Sequence, residues 1–182
     1  MHAVRQVGDI SGKSVLITGG GPIGQLILRV ARAFGAYKVT VSDVSAYARD
    51  FALASGAIAA INPLDEHAWQ SDNIYDVVFE ASGVPSALAN GLEVVRRGGT
   101  VVLVGTLPEL FSLPGNLIMS KELKLFGSFR FAHVFQDAIN MVASGQINLD
   151  GIVTDIYGFD HVPVAMQKAL AKENVMKVQI AI

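Results

Sequence analysis

The feature that most constrains this chain is a glycine-rich turn between an apolar run and an amphipathic segment. Residues 14–18, SVLIT, are apolar and rich in β-branched side chains, which is typical of a parallel strand buried on both faces. Residues 19–24, GGGPIG, follow at once, and from Pro22 onward apolar side chains recur at helical spacing. A strand, a tight turn and a helix in direct succession predict the unit from which parallel sheets are built.

The same alternation recurs along the chain. Further strands are predicted at 38–43, 59–62, 75–83, 99–105 and 123–129, with helices at 46–57 and 85–96. Past residue 131 the rhythm changes, and we predict helices near 133–144 and 160–172 and strands at 151–159 and 177–182. The fold class is therefore α/β, a doubly wound parallel sheet of six strands with flanking helices, plus a C-terminal tail.

Three glycines give the turn the pattern G-x-G-x-x-G. Gly19 permits the tight turn, Gly21 lets the backbone approach a pyrophosphate, and Gly24 lets helix and strand pack closely. The helix that begins at Pro22 and Ile23 then presents free N–H groups and the positive end of its dipole to the phosphates. The pattern predicts a dinucleotide site in a Rossmann fold; the alternative is a tight turn that binds no ligand.

An acidic residue supports the dinucleotide interpretation and indicates which cofactor it is. Asp43 ends the second predicted strand, 19 residues after Gly24. A carboxylate there accepts hydrogen bonds from the ribose hydroxyls of NAD and repels the 2′-phosphate of NADP, so we expect NAD. S-adenosylmethionine is a weaker alternative, because it usually sits against an acid that opens the glycine turn, where this chain has Thr18 and Gly19.

Composition excludes several other classes of function. The net charge is −2, so no basic surface for nucleic acid is predicted, and no apolar run is long enough to make a membrane a partner. The chain has no cysteine, and its four histidines (His2, His67, His133 and His161) lack the spacing of metal ligands. We therefore predict no metal site and no catalytic residue here, and expect a cytoplasmic protein.

Four motifs together resemble one family. They are GGGPIG at 19–24, DVVFEASG at 76–83, RRGGTVVLVG at 96–105 and KELKLFGSFRF at 121–131. The chain resembles the medium-chain zinc-dependent alcohol and polyol dehydrogenases, above all their polyol and sugar-acid branch. The resemblance implies hydride transfer between an alcohol and NAD, with zinc as a Lewis acid. In that family the zinc ligands lie in an upstream catalytic domain that this sequence does not contain, so we expect the chain to be inactive by itself.

The resemblance also implies cofactor contacts at the ends of two later strands. Ser82 and Gly83 would line the adenosine or nicotinamide ribose. Backbone groups of Val104, Gly105 and Thr106 would face the nicotinamide. The alternative for the first pair is a strand-end turn with no ligand.

A third group of residues would reach both cofactor and substrate. The resemblance places Ser128, Phe129 and Arg130 near the carboxamide and the phosphates, and Arg130 would also bind an acidic sugar through its carboxylate. Two departures from the family bear on specificity. Phe131 stands where sorbitol dehydrogenases commonly carry tyrosine, and Ala48 stands where many relatives have an arginine against the adenine.

The predicted domain organisation follows from the same resemblance. Residues 1–150 form an NAD-binding domain, in which 1–12 are a remnant of the helix that joins two domains. Residues 151–182 belong in part to the missing catalytic domain. The alternatives are a stand-alone NAD-sensing regulatory module and a zinc-free quinone reductase relative. The last is disfavoured, since such enzymes generally prefer NADP and lack an acid at the position of Asp43.

A homodimer is also predicted. In relatives the nucleotide domains pair edge to edge, and the candidate edge is the segment 107–119, LPELFSLPGNLIM. Pro108 and Pro114 bracket a short apolar stretch, and proline marks edge strands because it cannot donate to a ladder. We expect an isologous contact through residues near 108–118; the alternative is a loop that folds back onto its own domain.

Overall fold

The structure, a computed structural model, describes residues 1–69 and 75–182. The chain divides into two compact units, Met1–Ile147 and Asn148–Ile182. The observed boundary thus lies three residues before the predicted one. That the second unit belongs with a catalytic domain stays a prediction.

A six-stranded parallel sheet organises the first unit. Its strands are β1 (Ser14–Thr18), β2 (Lys38–Ser42), β3 (Ala59–Ile61), β4 (Tyr75–Glu80), β5 (Val95–Leu103) and β6 (Lys124–Gly127). Its helices are α1 (His2–Gln6), α2 (Pro22–Ala33), α3 (Ala46–Ala54), α4 (Pro85–Val94), α5 (Gly115–Ser120) and α6 (Phe135–Ala143). The strand order is β3-β2-β1-β4-β5-β6 with every pairing parallel, which confirms the predicted doubly wound sheet.

The order of the strands reverses between β1 and β4. The chain runs outward from β1 to β3 and then returns to place β4 on the other side of β1. Thr18 pairs with Ser42 on one side and with Glu80 on the other, so the three central strands end at one level. Such a switch point leaves a crevice outside the carboxyl ends of the strands, where α/β proteins bind their ligands.

Both faces of the sheet are covered, which explains the continuous apolar runs of its strands. Successive side chains of a strand point to opposite faces. Ile17 packs in one core cluster with Leu28 of α2, whereas Leu16 packs in the other with Leu88 and Leu92 of α4. The strands are therefore fixed in register from both sides.

The junction between α4 and β5 differs from the prediction. The helix ends at Val94 and the strand begins at once at Val95, whereas the helix was expected to run to residue 96. The side-chain ammonium of Lys121 donates hydrogen bonds to the carbonyl oxygens of Leu92, Glu93 and Val95. These contacts satisfy the end of the helix and stop it early, and they come from a lysine far along the chain.

The predicted edge strand within 107–119 forms no ladder within the described residues of this chain. Residues 107–114 pair with no described strand, α5 begins at Gly115, and β6 is the strand that lies beside β5. That the segment pairs with a second copy stays a prediction. Phe111, Leu117 and Ile118 pack instead against the core cluster on the α4 face, as the alternative of a loop folding back predicts.

The second unit is a small βαβ arrangement. It contains β7 (Val153–Gly158), a single 3-10 turn (Phe159–His161), α7 (Val162–Ala171) and β8 (Lys177–Ala181), and its two strands pair in parallel. These strands form a separate two-stranded sheet. In neither unit is any described helix long and apolar enough to cross a membrane.

Candidate cofactor site

The glycine turn lies at the switch point, and two of its glycines are required by the fold itself. Gly19 has a φ of +96°, and a Cβ there would lie 2.8 Å from the backbone of Ala81 and Ser82 after β4. A Cβ at Gly24 would lie 1.9 Å from the carbonyl oxygen of Gly19. Any side chain at either position would force the turn, the helix or the neighbouring strand to move.

Gly21 is different, because no described neighbour requires it to be glycine. A Cβ there would meet no atom of residues 1–69 or 75–182 within 4 Å, and its φ of −67° suits any residue. The space beside it is open, as close approach of a ligand to the backbone requires. The residue is also the N-cap of α2, and it makes no side-chain cap for the first turn of the helix. In the part of the chain that the structure describes, no side chain therefore caps the N–H groups of that turn.

Asp43 stands directly after β2 and touches the glycine turn. Its Oδ2 accepts a hydrogen bond from the backbone N–H of Gly20 at 2.7 Å, and its Oδ1 accepts one from Ser45 at 2.8 Å. A carboxylate has about four acceptor sites, so each oxygen can still accept a ribose hydroxyl. The two contacts fix the carboxylate at the edge of the crevice.

Gln25 is a site residue that the sequence reasoning missed. It is fully buried, and its side-chain amide donates to the carbonyl oxygen of Gly20 at 2.8 Å and to that of Ala48 at 3.2 Å. Gly20 is therefore held by Gln25 through its carbonyl oxygen and by Asp43 through its N–H group. Because Gln25 also donates to Ala48, it connects the glycine turn to the start of α3. A polar side chain on the apolar face of α2 was the signal available in the sequence.

The start of α3 also answers the question raised by Ala48. That residue is buried, and the next one, Arg49, donates to the carbonyl oxygens of Asp43 and Val44 at 2.8 and 2.9 Å. The arginine side chain thus fastens the loop after β2. It does so from one position later than the arginine that many members of the family carry.

Across the crevice, a buried carboxylate shapes the loop after β4. Glu80 is fully buried, and its Oε1 accepts hydrogen bonds from the N–H of Ser82 at 2.8 Å, the hydroxyl of Ser82 at 2.5 Å and the N–H of Gly83 at 2.9 Å. Sequence reasoning missed this residue too. The signal was an acid at the end of an apolar strand, two residues before Ser-Gly.

The loops after β4 and β5 touch each other through glycine. A Cβ at Gly83 would lie 2.6 Å from the carbonyl oxygen of Thr106, and a Cβ at Gly105 would lie 2.3 Å from the N–H nitrogen of Gly83. The amides of Val104 and Gly105 both donate to the carbonyl oxygen of Glu80 at 2.8 Å. The structure therefore brings together the predicted residues 82–83 and 104–106.

The third predicted group is only partly joined to the others. The N–H of Ser128 donates to the carbonyl oxygen of Leu103 at 2.8 Å, which places it at the end of β5. Phe129 is 82% exposed, and the guanidinium of Arg130 lies over its ring at 5.1 Å. Within residues 1–69 and 75–182, Arg130 forms no hydrogen bond or ion pair with another predicted site residue. Its side chain is free to meet a ligand.

The charged groups of the described chain show no metal centre. Within the ranges 1–69 and 75–182, no group of three or more histidine, aspartate or glutamate side chains could hold a metal ion. The features that remain are the uncapped first turn of α2, the carboxylate of Asp43 and two tight loops across the crevice.

Comparison with known proteins identifies the family. Residues 22–144 match the family model for zinc-binding dehydrogenases, a span that runs from the start of α2 past the end of α6. The chain belongs to the zinc-binding dehydrogenases. The resemblance seen in the four sequence motifs is thereby confirmed.

Individual relatives agree with this assignment. The chain is 36% identical over 183 residues to L-idonate 5-dehydrogenase (NAD(P)(+)) of Escherichia coli, covering 99% of this chain and 53% of that protein. The crystal structure of L-idonate 5-dehydrogenase from Escherichia coli matches with a TM-score of 0.93 at 35% identity, over 100% of this chain and 53% of that one. L-threonine 3-dehydrogenase of Pyrococcus abyssi is 42% identical over 164 residues, covering 84% of this chain and 47% of that protein. The crystal structure of a zinc-binding dehydrogenase from Sinorhizobium meliloti bound to NADP matches with a TM-score of 0.91 at 30% identity. The match covers 99% of this chain and 56% of that one. This chain spans about half the length of these relatives.

Proposed function

We propose that this chain is the NAD-binding domain of a zinc-dependent dehydrogenase that transfers a hydride between a polyol or sugar acid and NAD. The observation that carries the proposal is the open space at Gly21, beside the unpartnered first turn of α2 and the fixed carboxylate of Asp43. Zinc, when bound by ligands outside this chain, would supply the Lewis acid that polarises the substrate oxygen. This chain alone would hold cofactor without turnover.

The roles of the residues follow from where they lie in the crevice. The first turn of α2, at Pro22, Ile23 and Gly24, would bind the pyrophosphate, and Asp43 would accept the ribose hydroxyls of the adenosine half. The nicotinamide half would then lie on the other side of the switch point. The residues proposed there are Ser82, Gly83, Val104, Gly105, Thr106, Ser128, Phe129 and Arg130.

NAD is proposed over NADP on the basis of Asp43. Its two oxygens are tied to the backbone of Gly20 and Ser45, so the carboxylate could not easily swing away from a 2′-phosphate. The carboxylate and a 2′-phosphate are both negatively charged, so they would repel each other. The idonate relative is named for both cofactors and the Sinorhizobium meliloti structure holds NADP, so the preference is a property proposed for this chain from its own residues.

A sugar acid is the substrate class that best fits the exposed arginine. Arg130 has its guanidinium over an exposed ring, with no carboxylate partner in the described chain. A planar guanidinium can bind a carboxylate through two parallel hydrogen bonds. Together with the similarity to L-idonate 5-dehydrogenase, this favours an acidic polyol such as idonate over a neutral one.

A homodimer through residues near 108–118 is also proposed. Leu110 is 90% exposed and Leu113 is partly exposed, although Phe111 packs onto the core of its own domain. Exposed apolar groups beside proline are suited to an isologous contact with a second copy. Sedimentation should show a dimer for the wild-type chain and a monomer after Leu110→Lys with Leu113→Lys. A monomeric wild-type chain at tens of micromolar would contradict the proposal.

The cytoplasmic location stays a prediction.

The central proposal is tested by Gly21→Ala. The added methyl meets no protein atom, so we expect unchanged thermal stability, yet it occupies the space in which the pyrophosphate would lie. Titration calorimetry should show NAD binding to the wild-type chain, weakened by about tenfold or more in the variant, which corresponds to about 1.4 kcal/mol. Gly158→Ala is the matched control, since a Cβ there is also unopposed, and it should bind NAD normally. Absence of NAD binding by the wild-type chain at millimolar concentration would refute the proposed function.

A further inference from the structure

The buried carboxylate of Glu80 has a feature that the proposed contacts do not use. Three donors converge on its Oε1, two from Ser82 and one from Gly83, whereas its Oε2 is buried and has no hydrogen-bond partner among residues 1–69 and 75–182. A buried polar atom without a partner is costly and calls for a physical reason. The loop needs only one oxygen of Glu80, so loop shape does not explain the second.

Oε1 acts only as an acceptor of hydrogen bonds. The hydroxyl of Ser82 donates to it at 2.5 Å, beside the two backbone N–H groups of Ser82 and Gly83. Within residues 1–69 and 75–182, no arginine, lysine or histidine forms an ion pair with Glu80. A buried carboxylate without a counter-ion is poorly solvated, so a positive group brought close to it would be stabilised.

The position of Glu80 says which part of a dinucleotide would come close. The residue ends β4, and its Oε2 lies 2.7 Å from where a Cβ of Gly105 would be. Asp43 marks the β1–β2 side of the switch point as the adenosine half, so the nicotinamide half belongs on the β4–β5 side. The nicotinamide ring carries a positive charge in NAD⁺ and none in NADH.

We propose that Glu80 is an electrostatic discriminator of the cofactor's redox state: its charge, held under the loops of Ser82 and Gly105, favours NAD⁺ over NADH. This inference rests on the proposed function, because it requires a dinucleotide in the crevice. It goes further by giving the buried carboxylate a role that loop structure alone does not. Because no described donor compensates Oε2, the charge of Glu80 would act on the ring.

The test is Glu80→Gln, which removes the charge and keeps an acceptor oxygen for the three donors. Dissociation constants for NAD⁺, NADH and ADP-ribose are measured for both proteins by calorimetry. The ratio of the NAD⁺ dissociation constant to the NADH dissociation constant should rise about tenfold, because the attraction between two unit charges in a partly screened interior is lost. ADP-ribose lacks the ring and should bind both proteins alike.

Two further variants separate charge from loop structure. Ser82→Ala removes one donor and keeps the charge, so affinities for both redox states should change together and their ratio should hold. Glu80→Met is a second neutral variant that serves if the glutamine protein does not fold. An unchanged ratio in the neutral variant overturns the inference while leaving the proposed function intact. If the wild-type chain fails to bind ADP-ribose, the proposed function fails and the inference with it.

Discussion

The two halves of the crevice are built on opposite electrostatics. On the β1–β2 side, no described side chain caps the first turn of α2, and the carboxylate of Asp43 is partly exposed and hydrogen-bonded to the backbone. On the β4–β5 side, the carboxylate of Glu80 is fully buried beneath two loops that meet at glycine. This difference is the basis of the proposal that one half binds the pyrophosphate and the other lies near the positive ring of NAD⁺.

The halves also differ in how their glycines act. Gly19 and Gly24 keep the β1–α2 turn tight against its neighbours, whereas Gly21 leaves space open. On the other side, the loops of Gly83 and Gly105 contact each other so closely that neither position has room for a side chain. The first half is therefore shaped around a ligand, and the second is shaped by its own backbone contacts.

The largest effect is expected where glycine is needed by the fold. Gly24→Ala would place a Cβ 1.9 Å from the carbonyl oxygen of Gly19, in the backbone of the turn itself. We expect a loss of about 3 kcal/mol or more in the free energy of unfolding, measured by urea denaturation. Gly21→Ala serves as the matched substitution in the same turn and should cost less than about 0.5 kcal/mol. Equal losses would contradict the distinction drawn between the two glycines.

Local features made the first half predictable from the sequence. The glycine spacing, the helix that follows and Asp43 all lie on one strand-turn-helix-strand segment, so the six-stranded fold and the anion site could be proposed at once. Gln25 and Glu80 were missed because each sits in an apolar run and looks like an ordinary member of its element. Their partners become visible only when the turn and the strand ends are assembled.

The errors have the same origin in long-range contacts. The early end of α4 depends on Lys121, whose ammonium reaches back to the carbonyl oxygen of Leu92. Proline spacing placed the sheet edge at 107–119, while within this chain the place beside β5 belongs to β6. Neither pairing is encoded in the local pattern of apolar residues.

An intermediate effect is expected at Asp43, on the anion-binding half. Asp43→Asn removes the charge that opposes a 2′-phosphate, and its side-chain oxygen can still accept one of the two backbone N–H groups. The ratio of the NADP to the NAD dissociation constant should fall about tenfold, or about 1.4 kcal/mol. Asp50→Asn removes the same charge from an exposed position on α3 and should leave the ratio unchanged. If both variants shift the ratio alike, net charge and not Asp43 sets the preference.

The smallest effect is expected at the opposite ends of the strands, where one carboxylate ties the two halves together. Asp76 of β4 accepts hydrogen bonds from the backbone and hydroxyl of Ser14 in β1 and pairs with Arg96 of β5. Burial opposes ionisation of Asp76, but the hydrogen bonds from Ser14 and the ion pair with Arg96 outweigh it and lower its pKa below the ordinary value of 3.8. A carboxyl whose pKa is lower in the folded state stabilises the fold above its unfolded pKa and loses that contribution as the pH falls through the folded value.

We therefore expect Asp76→Asn to cost about 1 kcal/mol at pH 7, since the ion pair is partly exposed and a typical hydrogen bond contributes about that much. The difference from the wild-type chain should shrink as the pH falls below about 4, because protonation then removes the same charge from the native residue. Urea denaturation at a series of pH values measures the difference, and Asp50→Asn, on an exposed helix position, should show no such trend. If the loss in the free energy of unfolding stayed constant down to pH 3, the charge of Asp76 would not contribute to stability, and packing alone would hold β1 against β4.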